Sequence, residues 1–143
     1  MTAQQPIQVA FIDTNVWLYA LIKGQDPTKS HRARSVIATQ APHITISTQV
    51  INEVCVNLIK QEHFTPEQTR NVIIDFYARY TVAEPNQVTL VRATYLRERY
   101  SLSYWDSTIV ASALITGASF LLSEDMQDGL VVEQQLTIVN PFK

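Results

Sequence analysis

Cysteine is nearly missing from this chain. Cys55 is the only one in 143 residues, so no internal disulfide is possible and the fold must rest on its core. A single thiol also fits a reducing compartment. Glycine is almost as scarce. Three glycines cannot build a phosphate-cradling loop, and no G-x-x-x-x-G-K sequence occurs, which removes the common ATPase and GTPase chemistries. No apolar run approaches the roughly 20 residues of a membrane helix. The opening "MTAQQPIQ" has neither the basic start nor the apolar stretch of a secretion signal. These absences point to a cytoplasmic protein with no membrane contact. Surplus positive charge is missing too: a formal charge of −2 does not advertise a nucleic-acid binder, although a local patch suffices for phosphate contacts.

What the chain does have is apolar substance. Hydrophobic residues make up 46% and charged ones 17%, which excludes disorder and implies a folded domain. No repeat, low-complexity tract or linker divides it, so residues 1–143 are expected to form a single domain. A chain of this size buries roughly 70% of its unfolded surface.

Alternation along the chain gives the fold class. "IQVAFID" (7–13) reads as a short buried strand of a parallel sheet, and "TNVWLYALI" (14–22) as a helix. A second helix is expected over 29–40, and the β-branched "HITIS" (43–47) reads as a strand. From Thr48 the spacing becomes helical, with Val50, Ile51, Val54, Cys55, Leu58 and Ile59 on one stripe. "TPEQ" (65–68) starts another helix: Thr65 caps, Pro66 suits the first turn and Gln68 completes a capping box. Helices over 88–100, capped by Asn86, and 103–117, ending at Gly117, precede strands at 118–123 and 136–142. The pattern is that of an α/β domain with a mostly parallel sheet, whose sites form at the carboxyl ends of the strands.

Acids sit at the places where such a sheet would gather them. Asp13 closes the first strand, Glu53 lies off the apolar stripe of its helix, Asp106 is in the first turn of its helix, and Asp125 follows "FLLS". Each has a bland explanation. Asp13 and Thr14 are capping residues, Ser103-x-x-Asp106 resembles a capping box, a lone Glu53 is by default a solvated helix residue, and "SEDMQD" reads as an acidic turn. Taken together, however, convergent carboxylates repel one another unless a cation sits among them. Oxygen ligands without Cys or His spacing favour a hard ion, Mg²⁺ or Mn²⁺, which can activate water or clamp a phosphoryl group.

The ordered set "FIDTNVWLYAL", "ISTQVINEVCVNL", "LSYWDSTIVASAL", "LLSEDMQDG" and "TIVNPF" resembles the PIN-domain proteins, and among them the VapC-type toxins of bacterial toxin–antitoxin pairs. The resemblance spans essentially the whole chain. It implies a three-layer PIN-like domain, a central sheet flanked by helices, and a ribonuclease that hydrolyses phosphodiester bonds with one or two Mg²⁺ or Mn²⁺ ions. The family's acids then fall on Asp13, Glu53, Asp106 and Asp125, as catalytic residues and metal ligands. Asn15 matches the polar residue that orients the first carboxylate, and Ser123 the small hydroxyl residue before the last acid. Glu124, Asp125 and Asp128 compete for that last position; Asp125 has the S-x-D spacing and Asp128 is the reserve. An antitoxin partner, an RNA substrate and a homodimer are further implications.

An aspartyl-phosphate phosphatase or phosphoacceptor also places an aspartate at the end of its first strand. Such an enzyme needs an acid where Asn15 stands and a lysine near the later acid, and "LLSEDMQ" has none. A non-catalytic nucleic-acid-binding module is the other alternative. Trp17 and Trp105 read as core residues, Cys55 as a buried thiol, and the three histidines as ordinary because they lack ligand spacing. Lys29, Arg32, Arg34, Arg92, Arg97 and Arg99 are possible phosphate contacts, though such residues are usually solvated helix faces.

Overall fold

The computed structural model describes residues 8–22, 24 and 26–143. Its strands are β1 (Ala10–Ile12), β2 (Ile44–Ser47), β3 (Thr81–Ala83), β4 (Phe120–Leu122), β5 (Val131–Val132) and β6 (Leu136–Val139). Between them lie α1 (Thr14–Leu21), α2 (Pro27–Gln40), α3 (Thr48–Glu62), α4 (Pro66–Arg79), α5 (Gln87–Tyr100) and α6 (Tyr104–Ile115). The sheet runs β3-β2-β1-β4-β6-β5, parallel except for the β5–β6 pair. This is the α/β, mostly parallel architecture expected of a PIN-like domain.

The order has a consequence for the site. From β1 the chain steps outward to β2 and then β3; it next crosses back to β4 on the other side of β1. Crossovers are right-handed. Steps in opposite directions therefore place α1–α4 on one face of the sheet and α5–α6 on the other. The reversal falls between β1 and β4, and the crevice at the carboxyl ends of those two strands is where such sheets bind ligands.

The central strands have no water-facing side. Ala10, Phe11, Ile12, Ile44, Ile46 and Leu121 are all buried, which explains why β1 reads as a continuous apolar run. Helix α6 is buried from Ser107 to Leu114 and its small residues let it lie close on the sheet. Trp17 packs edge-on against Phe76 at 5.1 Å, and its indole N–H donates to the Ile12 carbonyl at 3.0 Å, so the core reading of Trp17 holds. Cys55 is buried, and loss of solvent pushes its thiol pKa up, as befits an inert side chain.

Several boundaries differ from expectation. Helix α2 begins at Pro27, two residues early, because Asp26 accepts from the Thr28 and Lys29 amides and Pro27 suits a first turn. Strands β3 and β5 were not expected; at three and two residues they carry no periodicity of their own and exist by pairing with β2 and β6. The first strand is described only as Ala10–Ile12, and the start of the expected 7–13 segment lies outside the described residues. The last strand stops at Val139, before Pro141. Ile59, placed on the buried stripe of α3, is instead 47% exposed and lies at the edge of that stripe, while its neighbour Leu58 is buried.

Candidate active site

Asp13 is the N-cap of α1 and is also buried at the switch point, with 6% of its surface exposed. Both of its carboxylate oxygens are held. The Thr14 amide donates to Oδ1 at 2.8 Å, and the Ser123 hydroxyl, just past β4, donates to Oδ2 at 2.8 Å. Burial pushes the Asp13 pKa up to about 6; the bonds from Ser123 and Thr14 oppose the rise, and the charges of Glu53 and Asp106 add to it.

The other acids are placed by neighbouring elements. Glu53, on the second turn of α3, accepts from the Thr14 hydroxyl at 2.5 Å and from the Gln49 amide at 3.3 Å. Gln49 in turn accepts from the Thr108 hydroxyl at 2.6 Å, which ties the start of α3 to the start of α6. Asp106 lies in the first turn of α6, where its own N–H donates to the capping Ser103 hydroxyl at 3.1 Å. Partial burial raises the Asp106 pKa, Ser103 lowers it, and the charges of Asp125 and Glu53 raise it. Asp125 is exposed and accepts from the Asn15 amide at 3.0 Å; Asn15 also accepts from the Glu124 N–H at 3.3 Å. The four acids from four segments thus lie close enough for their charges to act on one another.

The three acids after β4 have different partners. Glu124 turns away: Lys29 binds it at 2.7 Å and the Tyr19 hydroxyl donates to it at 2.9 Å. Asp128 accepts from the Asn140 N–H at 2.7 Å, and its charge is not among those acting on Asp13 or Asp106. Asp125 is the one whose charge reaches Asp106.

A divalent cation fits this donor set in kind. The donors are carboxylate oxygens, and a buried carboxylate among like charges gains most from a positive neighbour. They are not gathered as a coordination shell: among the described residues no three Asp, Glu, His or Cys side chains are arranged to hold an ion. Glu53 and Asp125 are instead engaged by the Thr14 hydroxyl and the Asn15 amide.

Some members of the site could not be read from the chain. Thr14 was visible only as a cap, and Lys29 meets Glu124 across 95 residues with no periodic signal. Half of the expected basic patch is committed: Lys29 to Glu124, Arg32 to the Pro141 carbonyl at 2.8 Å, and Arg99 to Glu133 at 3.0 Å. Trp105 overturns its core reading. It is 65% exposed, because α6 passes under the sheet only after its first turn. Among the described residues no helix is long and apolar enough to cross a membrane.

Solved structures with this fold include a toxin–antitoxin complex from Klebsiella pneumoniae. It is 23% identical with a TM-score of 0.70, over 92% of this chain and 97% of that one. The sarcin–ricin loop cleaving toxin VapC20 of Mycobacterium tuberculosis is 19% identical with a TM-score of 0.65, over 81% and 91%. VapBC2 from Rickettsia felis, bound to a DNA fragment from its promoter, is 18% identical with a TM-score of 0.62, over 93% and 100%. No curated protein matches the chain by sequence. The PIN-domain family model matches residues 10–127, most of the chain including all four acids, and the chain belongs to the PIN-domain family.

Proposed function

We propose that this protein is a divalent-metal-dependent endoribonuclease acting as the toxin of a type II toxin–antitoxin pair. The observation that carries the reading is Asp13: a carboxylate at the switch point, fixed through both oxygens, and destabilised by burial with a further contribution from neighbouring acids. A chain keeps such a group where a cation offsets its cost. Membership of the PIN-domain family and likeness to toxin structures support the same conclusion.

Asp13, Glu53, Asp106 and Asp125 would hold Mg²⁺ or Mn²⁺. The ion would lower the pKa of a water and offset charge on the substrate phosphate. The protein's own part is orientation. Ser123 and the Thr14 amide fix Asp13, Thr14 and Gln49 fix Glu53, and Asn15 aims Asp125. In the hydrolysis a water oxygen bonds to phosphorus, one P–O ester bond breaks, and the departing oxygen takes up a proton. Asp128, tied to Asn140, has no part in this assignment.

The reading includes a cytoplasmic setting, an antitoxin that blocks the acidic pocket, a homodimer and a single nuclease domain. Large apolar side chains exposed on α4 and α5, among them Ile74, Val88 and Tyr95, offer surface for protein partners. The direct test is RNA cleavage by the purified chain. Cleavage is expected with Mg²⁺ or Mn²⁺, and none with EDTA or with Ca²⁺ alone, which activates water poorly. Full cleavage in EDTA would refute the metal mechanism.

A further inference from the structure

A cleft of about 600 Å³ opens beside the acids, lined by Gln49, Asn52, Glu53, Leu90, Tyr104 and Trp105 among others. We propose that it holds one unpaired nucleobase of the RNA strand, stacked on the Trp105 ring. The inference rests on the ribonuclease reading and names where that substrate is gripped.

Three observations carry it. First, continuity: Glu53 belongs to both the cleft and the acid cluster, and Trp105 directly precedes Asp106, so a base in the cleft lies next to the phosphate at the acids. Second, chemistry: Trp105 is 65% exposed and Tyr104 43%, with their rings edge to face at 5.4 Å, while the exposed Asn52 amide offers both a donor and an acceptor to a base edge. A flat aromatic face beside an amide matches a nucleobase, which presents a π-face and a polar rim. Third, charge. The net charge is −2, and the residues that line the cleft include no lysine or arginine, so the cleft itself offers no cation to a phosphate. Stacking is neutral and supplies grip without cations.

The tryptophan count makes the idea measurable. Trp105 and the buried Trp17 are the only two, so a change in emission on adding RNA that vanishes in Trp105→Phe belongs to Trp105. The probe is a ten-nucleotide single-stranded RNA titrated in Ca²⁺ buffer, intact and with an abasic nucleotide walked along it. RNA is expected to quench Trp105 emission. Trp105→Phe, which keeps a ring, should bind within about threefold of wild type, and Trp105→Ala about tenfold or more weakly. An abasic site at one position should weaken wild type by a similar factor and leave Trp105→Ala unaffected, the signature of one shared contact. Wild-type affinity in Trp105→Ala together with intact Mn²⁺-dependent cleavage would overturn the stacking site and leave the nuclease standing. A blue shift of Trp105 emission with protein concentration alone would assign the cleft to a second copy of the chain and overturn the proposal. RNA neither bound nor cut by the wild type would remove both readings.

Discussion

Asp13 is where the chemistry of single residues decides most. In the folded protein its proton is held up to about pH 6, against 3.8 for a free side chain. Below that window both states are protonated. Within it the folded state binds more protons than the unfolded one, so stability falls as pH rises and the full loss is reached above the folded value. Its size is of the order of 3 kcal/mol. Asp13→Asn keeps an acceptor for the Thr14 amide and has no charge to bury. Denaturant unfolding in EDTA should show the variant at least as stable as wild type at neutral pH, by about 1 kcal/mol or more, with a flatter pH dependence across the window. A variant less stable than wild type at neutral pH would mean that Asp13 is a favourable cap and little else. Ser123→Ala should do the opposite. It leaves the Asp13 Oδ2 without its donor, and metal-free stability at neutral pH should drop by about 2 kcal/mol in the same unfolding assay.

Residue chemistry was readable where it depended on neighbours along the chain. Asp13, Asn15 and Ser123 stand at strand ends and announce themselves. Trp105 did not, because whether a ring at a helix start is buried depends on where the helix meets the sheet. The choice among Glu124, Asp125 and Asp128 likewise turns on Lys29, Asn15 and Asn140, which lie far away in sequence.

Elements were readable in proportion to their length and punctuation. The capping box of α4 formed as expected, with the Thr65 hydroxyl accepting from the Gln68 N–H at 3.1 Å and Gln68 accepting from the Thr65 N–H at 2.9 Å. Strands β3 and β5 went unseen because tertiary pairing, not pattern, makes them. The α4 cap also supplies a control remote from the acids. Thr65→Ala should lower stability by about 1 kcal/mol, read by thermal melt, and leave RNA cleavage at the wild-type rate. Lost cleavage at retained fold would show that α4 communicates with the site.

The whole molecule turns four separately unremarkable acids into a cluster. Alternation of strands and helices implied a parallel sheet, but not its order. The order β3-β2-β1-β4-β6-β5 puts the reversal between β1 and β4, bringing Asp13 and Ser123 together across 110 residues. The Gln49–Thr108 bond then joins α3 to α6 over the same sheet edge, which carries Glu53 toward Asp106. Burial of charge is the main cost, with repulsion between the acids adding to it, and relief by a cation is the central claim. It is tested most directly by thermal melts of wild type and Asp13→Asn, each with EDTA and with saturating Mn²⁺. Wild type should gain roughly 5 °C or more from Mn²⁺, since an ion that binds only the folded state stabilises it. Asp13→Asn should melt at or above wild type in EDTA and lose most of the Mn²⁺ gain. An undiminished Mn²⁺ gain in Asp13→Asn, or none in wild type, would contradict a metal site built on Asp13.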